Sequence, residues 1–157
     1  MACPFFMPTI KLDDGGWQHP SRLPLGAGWN GRCSAPGYED AEPTDQELHE
    51  LCNLGYAVTC PRLPRERTCD AVRFSIARDQ GNRLHFHVVC ESGHAPASHS
   101  MLEYDVVGSE WISAHPDVRI QKMAECYLQS CLLRRIQPAS TGHMSKASPS
   151  PTPCPTL

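Results

Sequence analysis

The chain has 157 residues, with 14 Lys and Arg against 17 Asp and Glu, 15 Pro, 11 Gly and 9 Cys. That length supports one domain with a tail and leaves no room for a second catalytic domain. A net charge of −3 offers no general attraction for nucleic acid or anionic lipid, and no apolar run reaches the length of a membrane-spanning helix. The opening Met1-Ala2-Cys3-Pro4-Phe5-Phe6-Met7-Pro8 has neither the basic start nor the apolar stretch of a secretory signal. An odd number of cysteines fits a closed disulfide framework poorly. Thiols in a reducing cytoplasm, available to metals or redox chemistry, are therefore expected.

Residues 1–70 show almost no regular periodicity and are punctuated by Gly15-Gly16, His19-Pro20, Leu23-Pro24, Gly26-Ala27-Gly28 and Pro36-Gly37. A segment this long and this poor in apolar pattern needs something other than a hydrophobic core to order it, and a bound metal would do so. One short helix is legible: Thr44 and Glu47 form a capping box, Leu48, Leu51 and Cys52 follow on one side, and Gly55 ends it. From Cys69 the pattern changes. Val72, Phe74 and Ile76 alternate with polar neighbours, Asp79-Gln80-Gly81-Asn82 makes a turn, and Leu84, Phe86, Val88 and Cys90 alternate in their turn, which predicts a hairpin. Leu102, Tyr104 and Val106 mark a third strand. A helix starts near Pro116, with Ile120, Met123, Ala124, Tyr127, Leu128 and Cys131 as its apolar stripe and Arg134-Arg135 at its end. The expected architecture is α+β: an irregular, metal-bound N-terminal lobe and a three-stranded antiparallel sheet covered by a C-terminal helix. Residues 1–68 form the cysteine-rich segment, 69–136 the sheet and helix of the same domain, and 137–157 a disordered Ser/Thr/Pro-rich tail.

Four cysteines, Cys3, Cys33, Cys52 and Cys60, fall in the Pro- and Gly-rich segment with 29, 18 and 7 residues between them. Cys3 and Cys60 each precede a proline, which fixes the chain's direction and removes an N–H that would need a partner. Four thiolates suit either a tetrahedral zinc or a cubane [4Fe-4S] cluster. Structural zinc sites are usually built on short paired spacings such as C-x₂-C, which are absent here, and widely spaced single ligands favour the larger cluster. Cys90, Cys126 and Cys131 lie on apolar strand and helix faces and read as small buried hydrophobes.

The arrangement Cys3-Pro4-Phe5, His19-Pro20-Ser21, Arg32-Cys33, Leu51-Cys52 and Cys60-Pro61 resembles a four-cysteine module of uncharacterised bacterial proteins. The resemblance covers residues 1–136 and implies a metal-binding, iron–sulfur module without an assigned reaction. It does not extend ligand status to Cys69, Cys126, Cys131 or Cys154. Cys69 could replace a ligand or sit beside the site, and His19 could substitute for Cys3.

Other features read as structural. His85 and His87 share a strand face that is better explained as solvated, as are Glu103 and Asp105, while Arg62, Arg65 and Arg67 form a small basic loop cluster. No G-x-S-x-G, H-E-x-x-H or C-x-x-C occurs, and Gly26-Ala27-Gly28 lacks the third glycine of a dinucleotide loop. A non-enzymatic role is therefore expected. The chain reads as a small cytoplasmic protein holding one [4Fe-4S] cluster through Cys3, Cys33, Cys52 and Cys60 for electron transfer or redox sensing, with a redox or protein partner. The alternative is a zinc-stabilised interaction module.

Overall fold

Apolar–polar alternation beyond Cys69 builds a four-stranded antiparallel meander, ordered β3-β4-β5-β6: β3 (Ala71–Asp79), β4 (Arg83–Ser92), β5 (Ala95–Asp105) and β6 (Glu110–Ser113). The computed structural model describes residues 1–13, 16–56 and 58–136, so the expected tail over 137–157 lies outside the described residues. Between β3 and β4, Gly81 adopts φ +81°, a left-handed conformation that disfavours side chains, and its N–H donates to Asp79 Oδ1 at 2.9 Å. Leu84, Phe86 and Val88 turn inward and are fully buried, while His85 and His87 lie on the opposite face.

The sheet thus has four strands, not the expected three. The additional β6 has four residues, too few to show a period. It follows a turn in which Asp105 Oδ1 accepts from the N–H groups of Val107 and Gly108, and Trp111 packs its ring against Tyr104 and Phe86 at 5.2 and 5.8 Å. Helix α2 (Val118–Ile136) begins beyond Asp117, whose Oδ1 accepts from the Arg119 N–H at 2.9 Å. It buries Ile120, Met123, Ala124 and Leu128 against β3 and a strand of the N-terminal lobe. Tyr127 fits between Phe74 and Phe86 at 5.7 and 6.0 Å. At the far end Arg135 pairs with Asp79, and Arg134 donates to the Gly26 carbonyl at 3.2 Å. The helix end is thereby tied to both halves of the molecule.

The N-terminal lobe is less irregular than expected. β1 (Phe6–Lys11) and β2 (Trp29–Cys33) form an antiparallel ladder with a register shift between Pro8 and Ile10. Pro8 argues against a strand in the sequence, but a two-stranded ladder has only edges, and proline is tolerated there and at bulges. Thr44 caps α1 (Asp45–Glu47) with the reciprocal bonds of a capping box. The helix then widens into one π-turn over Leu48–Cys52, in which the Asn53 N–H reaches the Leu48 carbonyl at 3.2 Å.

Two contacts join these pieces. Ala2 and Val72 exchange both backbone hydrogen bonds, at 2.7 and 2.9 Å, so the N-terminus pairs with the outer edge of β3. Asn53, 2 % exposed, accepts from the Trp29 N–H at 2.9 Å and donates to the carbonyls of Trp29 and Leu48 at 2.9 and 3.0 Å. Its amide acts as a one-residue strand along β2. Asn53→Ala should cost about 3 kcal/mol in denaturant unfolding, because the buried Trp29 N–H and C=O lose their partner and the Leu48 carbonyl keeps only the backbone N–H of residue 53. Asn53→Asp should cost at least as much near neutral pH, since a carboxylate cannot donate, and should recover stability on acidification. Wild-type stability for both variants would mean that water or a rearranged turn replaces the amide.

Candidate metal centre

The lobe's architecture carries its four cysteines to one place. Cys3 follows the Ala2–Val72 bridge and is 8 % exposed, while Cys33 ends β2 in register with Phe6. The Ser34 N–H and hydroxyl both donate to the Phe5 carbonyl, at 2.7 and 2.9 Å, which closes the distance between these two segments. Cys52 ends the π-turn immediately before the anchored Asn53. Cys60 opens a turn closed by the Leu63 N–H on its carbonyl at 3.2 Å. Arg62, two residues on, donates to Glu47 Oε2 at 2.9 Å and lies over the Tyr38 ring at 5.8 Å. It thus fastens the Cys60 turn to α1 and to the loop that follows Cys33.

All four cysteines border one apolar recess, walled by Phe5, Phe6, Ala35, Leu51 and Leu63, with Glu47 and Arg62 also on its lining. Cys3 is buried and the other three are half-buried. Burial pushes the Cys3 thiol up to about 11; the backbone N–H groups of Phe5 and Phe6 act in the opposite direction, and the Cys60 and Cys33 sulfurs add to the rise. Burial likewise pushes Cys52 up to about 12, helped by the charges of Cys3, Cys60, Cys33 and Glu47. Four sulfurs gathered in an apolar recess repel one another's negative charge. A cation among them would reverse that balance and deprotonate the thiols. Among the described residues, however, no three His, Cys, Asp or Glu side chains form a group that could hold a metal ion as they stand. The sulfurs border the recess without converging on one point.

The other cysteines lie elsewhere. Cys126 and Cys131 are buried along α2, with Cys126 pushed up to about 12 by burial. Cys69 borders an adjoining recess together with Cys90, and Cys154 is outside the described residues. His19 is exposed and is not on the wall of the four-cysteine recess. Phe5 borders it, whereas Trp17 and Trp29 do not. Trp17 stacks on His49 at 4.2 Å, and Trp29 lies in the core with its Nε1 unpaired. The basic cluster dissolves into separate roles, with Arg62 on Glu47 and Arg67 on Asp70 at 2.6 Å. Glu103 pairs with Arg83 at 2.9 Å, so the carboxylates of β5 are also structural. What the sequence did not show was Arg62 as a fastener and the pairing of Cys69 with Cys90, both of which join residues far apart in the chain.

No protein-family model, no curated protein and no solved structure matches this chain. Among the described residues no helix is long and apolar enough to cross a membrane.

A thiol whose pKa rises on folding holds its proton more tightly in the native state. The stability it contributes at neutral pH is therefore lost as pH climbs from about 8.5 through the native value. In metal-free protein at pH 8, Cys3 should react with iodoacetamide about 100-fold more slowly than the same cysteine in urea, followed by peptide mass spectrometry. Equal rates would show the recess open to solvent.

Proposed function

We propose that the chain is a small metal-binding protein that coordinates one [4Fe-4S] cluster through Cys3, Cys33, Cys52 and Cys60, and that it serves in electron transfer or redox sensing in the cytoplasm. The observation that carries this reading is the gathering of four cysteines, far apart in the chain, on one apolar recess. The recess draws on four separate elements and is furnished with sulfur. Oxygen-seeking ions such as magnesium or calcium would find only the single carboxylate of Glu47 there.

The wide spacing of the four cysteines along the chain, with no short C-x₂-C pair, favours a cluster over a single ion. A tetrahedral zinc with bonds of about 2.3 Å would hold its four sulfurs about 3.8 Å apart. A cubane, whose four irons carry the ligands outward, suits cysteines drawn from four separate segments of the chain. When bound, such a cluster supplies a one-electron couple, tuned by hydrogen bonds to the sulfurs and by solvent exposure. The N–H groups of Phe5 and Phe6 at Cys3 are the kind of donors that stabilise a thiolate ligand. Three of the four cysteines are half-buried, which leaves one side of the site within reach of a partner or an oxidant.

Anaerobic purification should yield about four iron and four sulfide per chain, with a broad absorption band near about 400 nm. Cys33→Ser and Cys60→Ser should lose most of that iron and become protease-sensitive over residues 1–60, since binding free energy is also folding free energy. Cys126→Ala and Cys131→Ala should keep it while losing about 1–3 kcal/mol of stability from the α2 face. Full iron in both serine variants would overturn the ligand set. One zinc with a featureless visible spectrum would replace the cluster with a structural zinc site.

A further inference from the structure

A second pair of thiols lies outside the four-cysteine recess. Cys69 immediately precedes the Asp70 N–H that donates to the Glu91 carbonyl at 2.7 Å, and Cys90 sits opposite Val72 on β4. The Cys69 thiol donates to the Ala71 carbonyl at 3.3 Å, over the Ala71–Glu91 rung and next to residue 90. Both cysteines are half-buried, and both border an open recess also lined by Arg67, Asp117 and Arg119. No C-x-x-C marks this pair in the sequence. The bend of the chain into β3 brings together two cysteines from different segments.

We propose that Cys69 and Cys90 form a redox-active dithiol that exchanges electrons with an external disulfide presented at this recess. The roles within the pair follow from their surroundings. Cys90 is the attacking sulfur: Ser98, its register partner on β5, and Cys69, on the same recess, favour its thiolate. Cys69 is correspondingly held as the protonated partner. The surrounding charges largely cancel one another. Asp117 opposes the Cys90 thiolate but is paired with Arg119 at 2.6 Å, Arg67 is paired with Asp70 at 2.6 Å, and Glu66 is exposed. The neighbouring Glu91 is taken up by Tyr56 and by Arg73 at 3.6 Å.

The exchange balances without a further reagent. The Cys90 thiolate attacks one sulfur of a disulfide R–S–S–R, the S–S bond breaks, and one RS⁻ leaves. Cys69 then releases its proton, and its sulfur attacks the Cys90 sulfur of the mixed disulfide and expels the second RS⁻. Two electrons have passed to the external disulfide, now two thiols, and one bond joins Cys69 to Cys90. A dithiol reverses the sequence. Arg119 and Asp117 at the head of α2 frame the attacking sulfur, and Phe5 separates this recess from the four-cysteine one.

The full-length protein, purified anaerobically with whatever metal it carries, provides the test. It is treated with oxidised glutathione, alkylated, digested with trypsin and examined by mass spectrometry. Cleavage at arginine leaves Cys69 alone in peptide Thr68–Arg73 and Cys90 alone in Leu84–Arg119. The expected result is a disulfide joining these two peptides, reversed by dithiothreitol, with the iron content unchanged. Cys69→Ser should trap glutathione on Cys90, whereas Cys90→Ser should take glutathione onto Cys69 at least about tenfold more slowly. Ser98→Ala, at an exposed strand position, keeps the test valid if a cysteine variant misfolds. It should move the pH midpoint of Cys90 alkylation upward while leaving the circular dichroism unchanged. Absence of the joined peptide, no adduct on Cys90 in Cys69→Ser, or iron loss in step with oxidation would each overturn the proposal. A protein disulfide as oxidant that joins the same peptides where glutathione fails would support it and identify the external disulfide as a protein's.

Discussion

The buried side-chain amide of Asn53 holds the N-terminal half in register. β2 forms a ladder with β1, and Trp29 on its other edge would leave an N–H and a C=O facing the core. A third strand would be the ordinary remedy, but the chain supplies a single amide with one acceptor and two donors, all of them used. Because the same amide also takes the Leu48 carbonyl, it fixes where the π-turn sits along β2 and hence where Cys52 stands relative to Cys33. The wider π-turn follows from this placement. A regular α-helical end would rotate Asn53 away from β2, and the extra residue in the turn keeps it facing the strand.

The parts of the fold legible in the sequence are those where local chemistry and tertiary packing agree. The Thr44–Glu47 box, the Gly81 turn, the alternation of β3 and β4 and the stripe of α2 all encode their structure within a few residues. β1, β2 and β6 were not legible because their pairing is paid for at a distance. β2 carries Gly31 where a side chain would strike the Met7 carbonyl, β1 carries a proline, and β6 is fixed by one tryptophan against two aromatic rings on other strands. The four-cysteine set could be chosen from composition, since no apolar pattern accounted for Cys3, Cys33 and Cys60. The means of bringing them together could not. Arg62 belongs to what reads as a solvated basic loop, yet its bond to Glu47 and its place over Tyr38 bridge three segments.

The sulfur-lined recesses differ in electrostatic character although one phenyl ring borders both. Around Cys3 and Cys52 the dominant influence is burial, which keeps thiols protonated until a cation arrives. Around Cys90 it is the polar neighbours Cys69 and Ser98, which favour a thiolate with no cation present. Arg119, over Phe5 at 5.2 Å, feels the sulfurs on both sides, Cys69 and Cys3. The same residue type, cysteine, is thus tuned in opposite directions by the balance between desolvation and polar neighbours.

The pairing of Ala2 with Val72 also sets an order of events during synthesis. Cys3 leaves the ribosome early, but the edge that positions it does not exist until β3 has emerged and found β4. Until then Cys33, Cys52 and Cys60 can gather through the β1–β2 ladder, Asn53 and Arg62, while Cys3 has no edge to hold it. Closing so long a loop is slow compared with forming a hairpin. Completion of the recess is therefore a late, post-emergence step, and the nascent chain passes through a stage with three gathered thiols and one still unplaced.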